Sequence, residues 1–207
     1  MNEDFELTLF DRIEMIRSVM QYVPDERAYI SYSGGKDSTV LSHIIDEALP
    51  GNQIKRVFCN TGMEHVSIVD YVKEQQKEDP RIEIIFAGVN IKKMLEEDGY
   101  PFKSKIHSEF VERYQNSGLK TKSVQKYIAG GGGGRYSCPK KLLYQFTDEF
   151  KLKISQKCCA NLKKKPFAKY EKETEKTMTI TGIRAAEGGI REYQADKHGC
   201  VFRDKDG

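Results

Sequence analysis

Three times between residues 27 and 97, a short run of β-branched and aromatic residues gives way to a longer segment whose apolar positions recur every three or four residues. The strand-like runs are Arg27–Tyr32, Ile54–Cys59 and Arg81–Ala87. The helix-like segments are Ser38–Leu49, with Leu41, Ile44, Ile45 and Ala48 on one face, His65–Lys77, with Val66, Val69, Tyr71 and Val72, and a shorter one near Ile91–Glu97. Few folds accept that order. Alternating segments bury their apolar faces together as βαβ units, so the spacing predicts an α/β fold: a doubly wound parallel sheet with helices on both faces.

The flanking sequence extends the pattern. Leu9, Ile13, Ile16 and Met20 form the stripe of an N-terminal helix within residues 1–24, which Pro24 closes. Helices are expected at Ser104–Gln115 and Lys140–Phe150, and Thr177–Ile183 returns to strand composition. With 207 residues, 38% of them hydrophobic, one domain spanning 1–207 is the expectation. Residues 120–176 read as a basic insertion of helices and loops. Within it the five glycines at 130–134 point to a mobile loop or an engineered stand-in for one, because glycine loses the most backbone freedom on ordering.

Charge is unevenly spread. From Lys120 to Lys169 there are thirteen Lys or Arg against Asp148 and Glu149, a balance of +11, so the remaining residues carry −8 of the net +3. Such a face suits phosphates, on a nucleotide or a nucleic acid, or else is a solvated lysine-rich surface. No run of apolar residues reaches membrane-spanning length and the first ten residues are acidic, so a cytoplasmic protein with no membrane partner is expected. Five cysteines, an odd number, argue against a disulfide framework.

The first strand-to-helix switch carries the sequence SGGKDS, Ser33 to Ser38. Paired glycines after a strand permit a tight turn with unshielded N–H groups, and the following helix adds the positive end of its dipole. Lys36 contributes a full charge, and Ser33, Ser38 and Thr39 contribute hydroxyls. The turn is therefore an anion cradle. It is not a Walker A loop, because position 30, where that motif requires glycine, is Ile.

SGGKDS resembles the PP-loop of the ATP pyrophosphatase, or adenine nucleotide alpha hydrolase-like, superfamily, and further stretches resemble its phosphoadenosine phosphosulfate (PAPS) reductase branch. These are FCNTGMEH at 58–65, with Asn60 where Asp is usual, GYPFKSKIHSEFVERYQ at 99–115, KCCANLKKKPFAKY at 157–170 and TGIRAAEGGIRE at 181–192, with Gly188 in place of the usual serine. The resemblance implies an enzyme that binds ATP or PAPS with Mg²⁺. Ser33, Gly34, Gly35, Lys36, Asp37, Ser38, Thr61, Gly62, Glu64 and Gly182 would hold the nucleotide, and Lys36, Asp37, Arg184 and Arg191 would act on it. Thr61 and Glu64 also fit a plain turn before a helix, and the two arginines fit surface ion pairs.

Lys36 tilts the reading toward ATP, since it suits a β,γ-pyrophosphate that sulfonucleotides lack. The expected chemistry is then adenylation of an acceptor, for sulfur transfer or sulfate activation, with a sulfur-donor protein or a nucleic acid meeting the basic 120–169 region. A thiol- or iron–sulfur-dependent sulfonucleotide reductase is the competing enzyme reading, and a non-catalytic nucleotide- or nucleic-acid-binding module is a third. Cys138, Cys158, Cys159 and Cys200 supply the four thiolates a 4Fe-4S cluster needs if the fold gathers them; otherwise they are small buried residues. The C-terminal cysteine of the reductases and their second Cys-x-x-Cys are missing, so either the chain is cut short or its chemistry differs. Cys59, inside a strand, reads as core.

Overall fold

A computed structural model describes residues 3–188, 190–199 and 201. The chain divides into two compact units where one was expected. The first holds residues up to Ile85 and from Tyr170 onward, and the second is Phe86–Lys169, which starts well before the basic insertion expected at 120.

The first unit is built on strands β1 (Ala28–Ser31), β2 (Lys55–Asn60), β3 (Ile82–Phe86) and β4 (Met178–Ile180). They form a parallel sheet of order β3-β2-β1-β4, with Ile30 beside Arg56 and Ile180. Helices α1 (Glu3–Met20), α2 (Lys36–Ala48) and α3 (Val66–Glu78) match the predicted segments within a few residues. Alternation along β1 separates the two faces of the sheet. Ala28 and Ile30 pack with Met20 of α1 and Ile45 of α2, and Phe58 of β2 packs with Val72 of α3. Tyr29 points the other way, edge-on to Tyr170, and its hydroxyl donates to Glu171 at 2.6 Å.

An ionic cluster sits inside this unit. Arg56 of β2 is fully buried and donates to Asp46 of α2 at 2.5 Å, to Asn52 at 3.0 Å and to Ser42 at 3.0 Å. Arg81 donates to both oxygens of Asp46, at 2.7 and 3.1 Å, and to both of Asp79. Burial raises the Asp46 carboxyl, but bonds from Arg81 and Asn52 and the nearby guanidinium charges outweigh it, so it lies below the usual range.

The second unit contains α4 (Ile91–Asp98), α5 (Lys105–Ser117), α6 (Lys122–Ile128) and the start of α7 (Lys165–Glu173). Val111, Val124, Tyr127, Cys138, Phe146 and Ile154 make its core. His107, fully buried, donates from Nε2 to the Gln145 side-chain oxygen at 2.7 Å and accepts from the Tyr127 hydroxyl at 2.9 Å. The predicted helix at Lys140–Phe150 is a 3₁₀ helix over Lys140–Phe146. Pro139 precedes it, and a three-residue repeat puts Leu142 and Gln145 on one inward line.

The glycine run takes a defined path. Gly130 and Gly131 donate to the Tyr127 and Lys126 carbonyls at 3.3 and 3.1 Å, and Tyr136 donates back to Gly133 at 3.0 Å. A Cβ at Gly132 would collide with the Tyr136 carbonyl oxygen. The run is a hydrogen-bonded turn that ends α6, and it requires glycine on steric grounds.

Candidate nucleotide site

The SGGKDS turn joins β1 to α2, as the change of period predicted. Gly34 adopts a φ of +70°, and a Cβ there would lie 2.8 Å from Val72 Cγ2 of α3. No side chain is tolerated. Gly35 caps α2 without a side-chain acceptor, which leaves the first-turn N–H groups open to an anion. The turn is cross-braced by its serines: Ser33 and Ser38 hydroxyls meet at 3.0 Å, the Ser33 amide donates to Ser38 Oγ at 3.2 Å, and Ser38 Oγ donates to the Gly35 carbonyl at 2.9 Å. Lys36 is 76% exposed, held only against Asp37 at 3.1 Å.

The chain that follows β4 closes on this turn. Gly182 approaches so tightly that a Cβ would stand 2.9 Å from the Asp37 carbonyl oxygen. Two residues on, Arg184 brings Nη2 to 3.6 Å from Asp37 Oδ2. Arg184 also lies 4.0 Å from Glu187, and Arg191 of α8 (Ile190–His198) pairs with the same carboxylate. The structure thus brings Ser33, Gly34, Gly35, Lys36, Asp37, Ser38, Gly182 and Arg184 together, with Arg191 one carboxylate away. A short 3₁₀ turn at Ala185–Glu187 lies between the two arginines, and its Glu187 gathers them.

Thr61, Gly62 and Glu64 lie at the end of the neighbouring strand β2, as expected. Their polar groups are turned on one another. Glu64 accepts from the Thr61 amide at 2.9 Å and the Thr61 hydroxyl at 2.8 Å, and Gly62 donates to Asn60 at 2.9 Å. Two neighbours of the turn were not among the predicted site residues, Tyr32 and Glu187, although Glu187 lies within the TGIRAAEGGIRE stretch. Tyr32, 5% exposed, sets its hydroxyl 3.4 Å from Thr39, and burial raises its phenol. Glu187 is the shared partner of both arginines.

Three of the four candidate cluster ligands, Cys138, Cys158 and Cys159, lie among the described residues. Among the described residues, no three His, Cys, Asp or Glu side chains form a metal-binding group. Cys138 is a core residue of the second unit, packed with Val124, Tyr127 and Phe146, and burial pushes its thiol pKa up, away from the thiolate a cluster needs. Cys158 is half-buried and Cys159 exposed, while Cys200 lies outside the described residues. Cys59 is buried in β2, as predicted. A resident iron–sulfur cluster therefore does not fit the described side chains. A nucleotide-borne Mg²⁺ asks for less, one or two carboxylates beside phosphate oxygens, and Asp37 is the carboxylate on the turn. No described helix is long and apolar enough to cross a membrane. A cavity of about 670 Å³ in the second unit, lined by Glu112, Gln115, Asp148 and Lys157 among others, includes no residue of the turn.

Ligands of open parallel sheets lie beyond the carboxyl ends of the strands, where this turn sits. Fold and turn together define the adenine nucleotide alpha hydrolase-like superfamily. Within it, residues 27–196 match the phosphoadenosine phosphosulfate reductase domain, and the chain belongs to that family, whose enzymes serve nucleotide-linked sulfur metabolism. An uncharacterized protein of Methanocaldococcus jannaschii is 29% identical over 98 residues, which cover 47% of this chain and 22% of that relative. The shared segment is thus less than a quarter of the relative's length. No solved structure matches the chain.

Proposed function

We propose that the chain binds ATP on the Ser33–Ser38 turn and adenylates an acceptor, releasing pyrophosphate. The observation that carries this reading is the convergence of a full set of cationic and N–H donors on one strand-end turn: the uncapped first turn of α2, the exposed Lys36, and Arg184 at 3.6 Å from Asp37. In the reaction, an acceptor oxygen attacks the α-phosphorus and the bond to the bridging oxygen of the β-phosphate breaks. Pyrophosphate leaves with that electron pair. The α2 amides and Lys36 stabilise its growing charge, and Arg184, released from Asp37 toward the nucleotide, steadies the α-phosphate. Mg²⁺, when bound beside Asp37, supplies charge neutralisation on the phosphate oxygens. A sulfur donor can then displace AMP, or sulfate itself can be the acceptor.

Membership of the PAPS reductase family favours a second reading, reduction of a sulfonucleotide. The thiolate of the exposed Cys159 would attack the sulfonate sulfur, adenosine bisphosphate would leave with the electron pair of the broken S–O bond, and a second thiol from an external thiol reductant would close a mixed disulfide with Cys159 and release sulfite. Product analysis separates the two. Anaerobically purified protein is incubated with α-labelled ATP or with PAPS. AMP with pyrophosphate supports adenylation, whereas sulfite with adenosine bisphosphate overturns it in favour of the reductase. ATP binding without turnover of either substrate overturns both in favour of a nucleotide-sensing module. Iron and sulfide analysis of the same sample tests for a cluster.

A further inference from the structure

From Arg113 to Thr147, 35 residues carry seven Lys or Arg and no Asp or Glu. The structure turns this stretch into one face of the second unit. Val124 and Tyr127 of α6, Cys138, and Phe146 of the 3₁₀ helix Lys140–Phe146 share a core, so the segments that hold them lie against each other. Their outward positions are Lys122, Lys126, Lys140 and Lys141, all exposed. The glycine turn binds α6 to Tyr136 and keeps the segments close.

Some cations of this unit are answered by carboxylates: Lys92 by Glu96, Lys93 by Glu97, Arg113, at the start of the stretch, by Glu109, and Lys157 by Asp98 and Glu112. On this face none of the exposed lysines is. Among the described residues, Lys120, Lys122, Lys126, Lys140 and Lys141 have no carboxylate within ion-pair distance. Gathered like charges repel, and an anionic partner relieves that repulsion. Two partly exposed aromatic rings stand among them, Tyr144 at 52% exposure, edge-on to Phe150, and Tyr136 at 46%. Unpaired lysines around exposed tyrosines match the chemistry of a single nucleic-acid strand, whose phosphates meet the charges and whose unpaired bases stack on the rings. A duplex hides those base faces, and an acidic protein has none.

We propose that the Lys120–Tyr144 face of the second unit binds single-stranded nucleic acid. This binding stands apart from the nucleotide reading, because it uses no residue of the SGGKDS turn.

The test is fluorescence anisotropy of the full chain with a labelled oligouridylate or oligothymidylate of roughly 20 nucleotides, the two arms telling RNA from DNA. With about five phosphates neutralised, log affinity falls with log salt at a slope of about −3.5. The combined variant Lys122→Gln, Lys126→Gln, Lys140→Gln and Lys141→Gln flattens that slope by about three units. Tyr136→Ala and Tyr144→Ala each weaken binding roughly 5- to 100-fold, while the phenylalanine variants retain it. Lys36→Ala and the paired-lysine control Lys92→Gln/Lys93→Gln bind the oligonucleotide as the parent does. Circular dichroism confirms that each variant is folded. Absence of oligonucleotide binding at low salt overturns the proposal, as does equal loss in the Lys92/Lys93 control. Equal affinity for duplex or polyglutamate with silent tyrosine variants overturns it in favour of a general polyanion or an acidic protein partner.

Discussion

Asp46→Ala removes one carboxylate that answers two guanidinium groups, and the surrounding geometry sets what that loss is worth. Arg56, fully buried, keeps only neutral acceptors: Asn52, Ser42 and the Ile54 carbonyl. Arg81 keeps Asp79. Stranding a buried charge costs about 3–5 kcal/mol, and because Asp46 is itself 35% exposed the lower end, about 3 kcal/mol, is expected. Arg56→Met makes the reverse deletion with a smaller penalty. Asp46 retains both bonds from Arg81, a methionine fills much of the space, and the loss is the net worth of a few hydrogen bonds, about 1–2 kcal/mol. The double variant costs less than the sum, since the second change removes the charge that the first stranded. Urea unfolding followed by circular dichroism measures all three. If Arg56→Met proves as costly as Asp46→Ala, the account of a stranded cation is wrong. The same cluster sets a pH dependence. The Asp46 and Asp79 carboxyls lie below their ordinary values when folded, so the unfolded chain takes up protons first as pH falls. Their contribution is fully present above about pH 4–5 and is lost as pH drops through the folded values, and Asp46→Ala shows a shallower acid limb.

Other residues are as directly testable. Lys36→Ala weakens ATP binding by about 10- to 100-fold, the worth of one charge-assisted contact, with an unchanged thermal midpoint, as calorimetry would read. Gly182→Ala forces its Cβ against the Asp37 carbonyl, so ATP binding falls while the circular dichroism spectrum of the folded sheet persists. In timed alkylation with peptide mapping, Cys159 is modified first and Cys158 after it, whereas Cys59 and Cys138 react only on unfolding. Burial lowers the His107 pKa, so the unfolded chain binds a proton that the folded chain resists. Stability therefore declines as pH falls below about 6.5, and His107→Gln abolishes that part of the decline in urea midpoints taken from pH 7 to pH 5.

The parts of the fold that sequence announced are those in which one element buries one regular stripe. Leu41, Ile44 and Ala48 mark α2, and Ala28 with Ile30 marks the inward face of β1, so the turn between them fell into place. What escaped depends on contacts distant in sequence. Arg56 reads as a flaw in a strand until Asp46, ten residues earlier, and Arg81 arrive beside it. Helix α6 has too few turns to display a period, and it is anchored by Val124 and Tyr127 meeting Phe146. The helical segment from Cys158 passes at once into a π turn over Ala160–Lys164, which breaks the 3.6-residue repeat that marks a helix in sequence. In the site, residue types pointed to the turn and to Arg184. Glu187 as the carboxylate between two arginines, and Thr61 spent on Glu64, emerge only once the side chains are placed.

Strand β1 lies between β2 and β4, yet β4 is made almost 150 residues after it. On a ribosome adding about 5–20 residues per second, the strand carrying the phosphate turn waits about 7–30 seconds with one edge unpaired. Phe86–Lys169 is continuous in sequence and can finish folding during that interval. The last event is the arrival of Met178–Ile180, which seals the open edge and in the same movement delivers Gly182 and Arg184 to Asp37. Completion of the sheet and assembly of the site are one step in the birth of the chain, so a nascent protein stalled before that point holds an SGGKDS turn without its arginine.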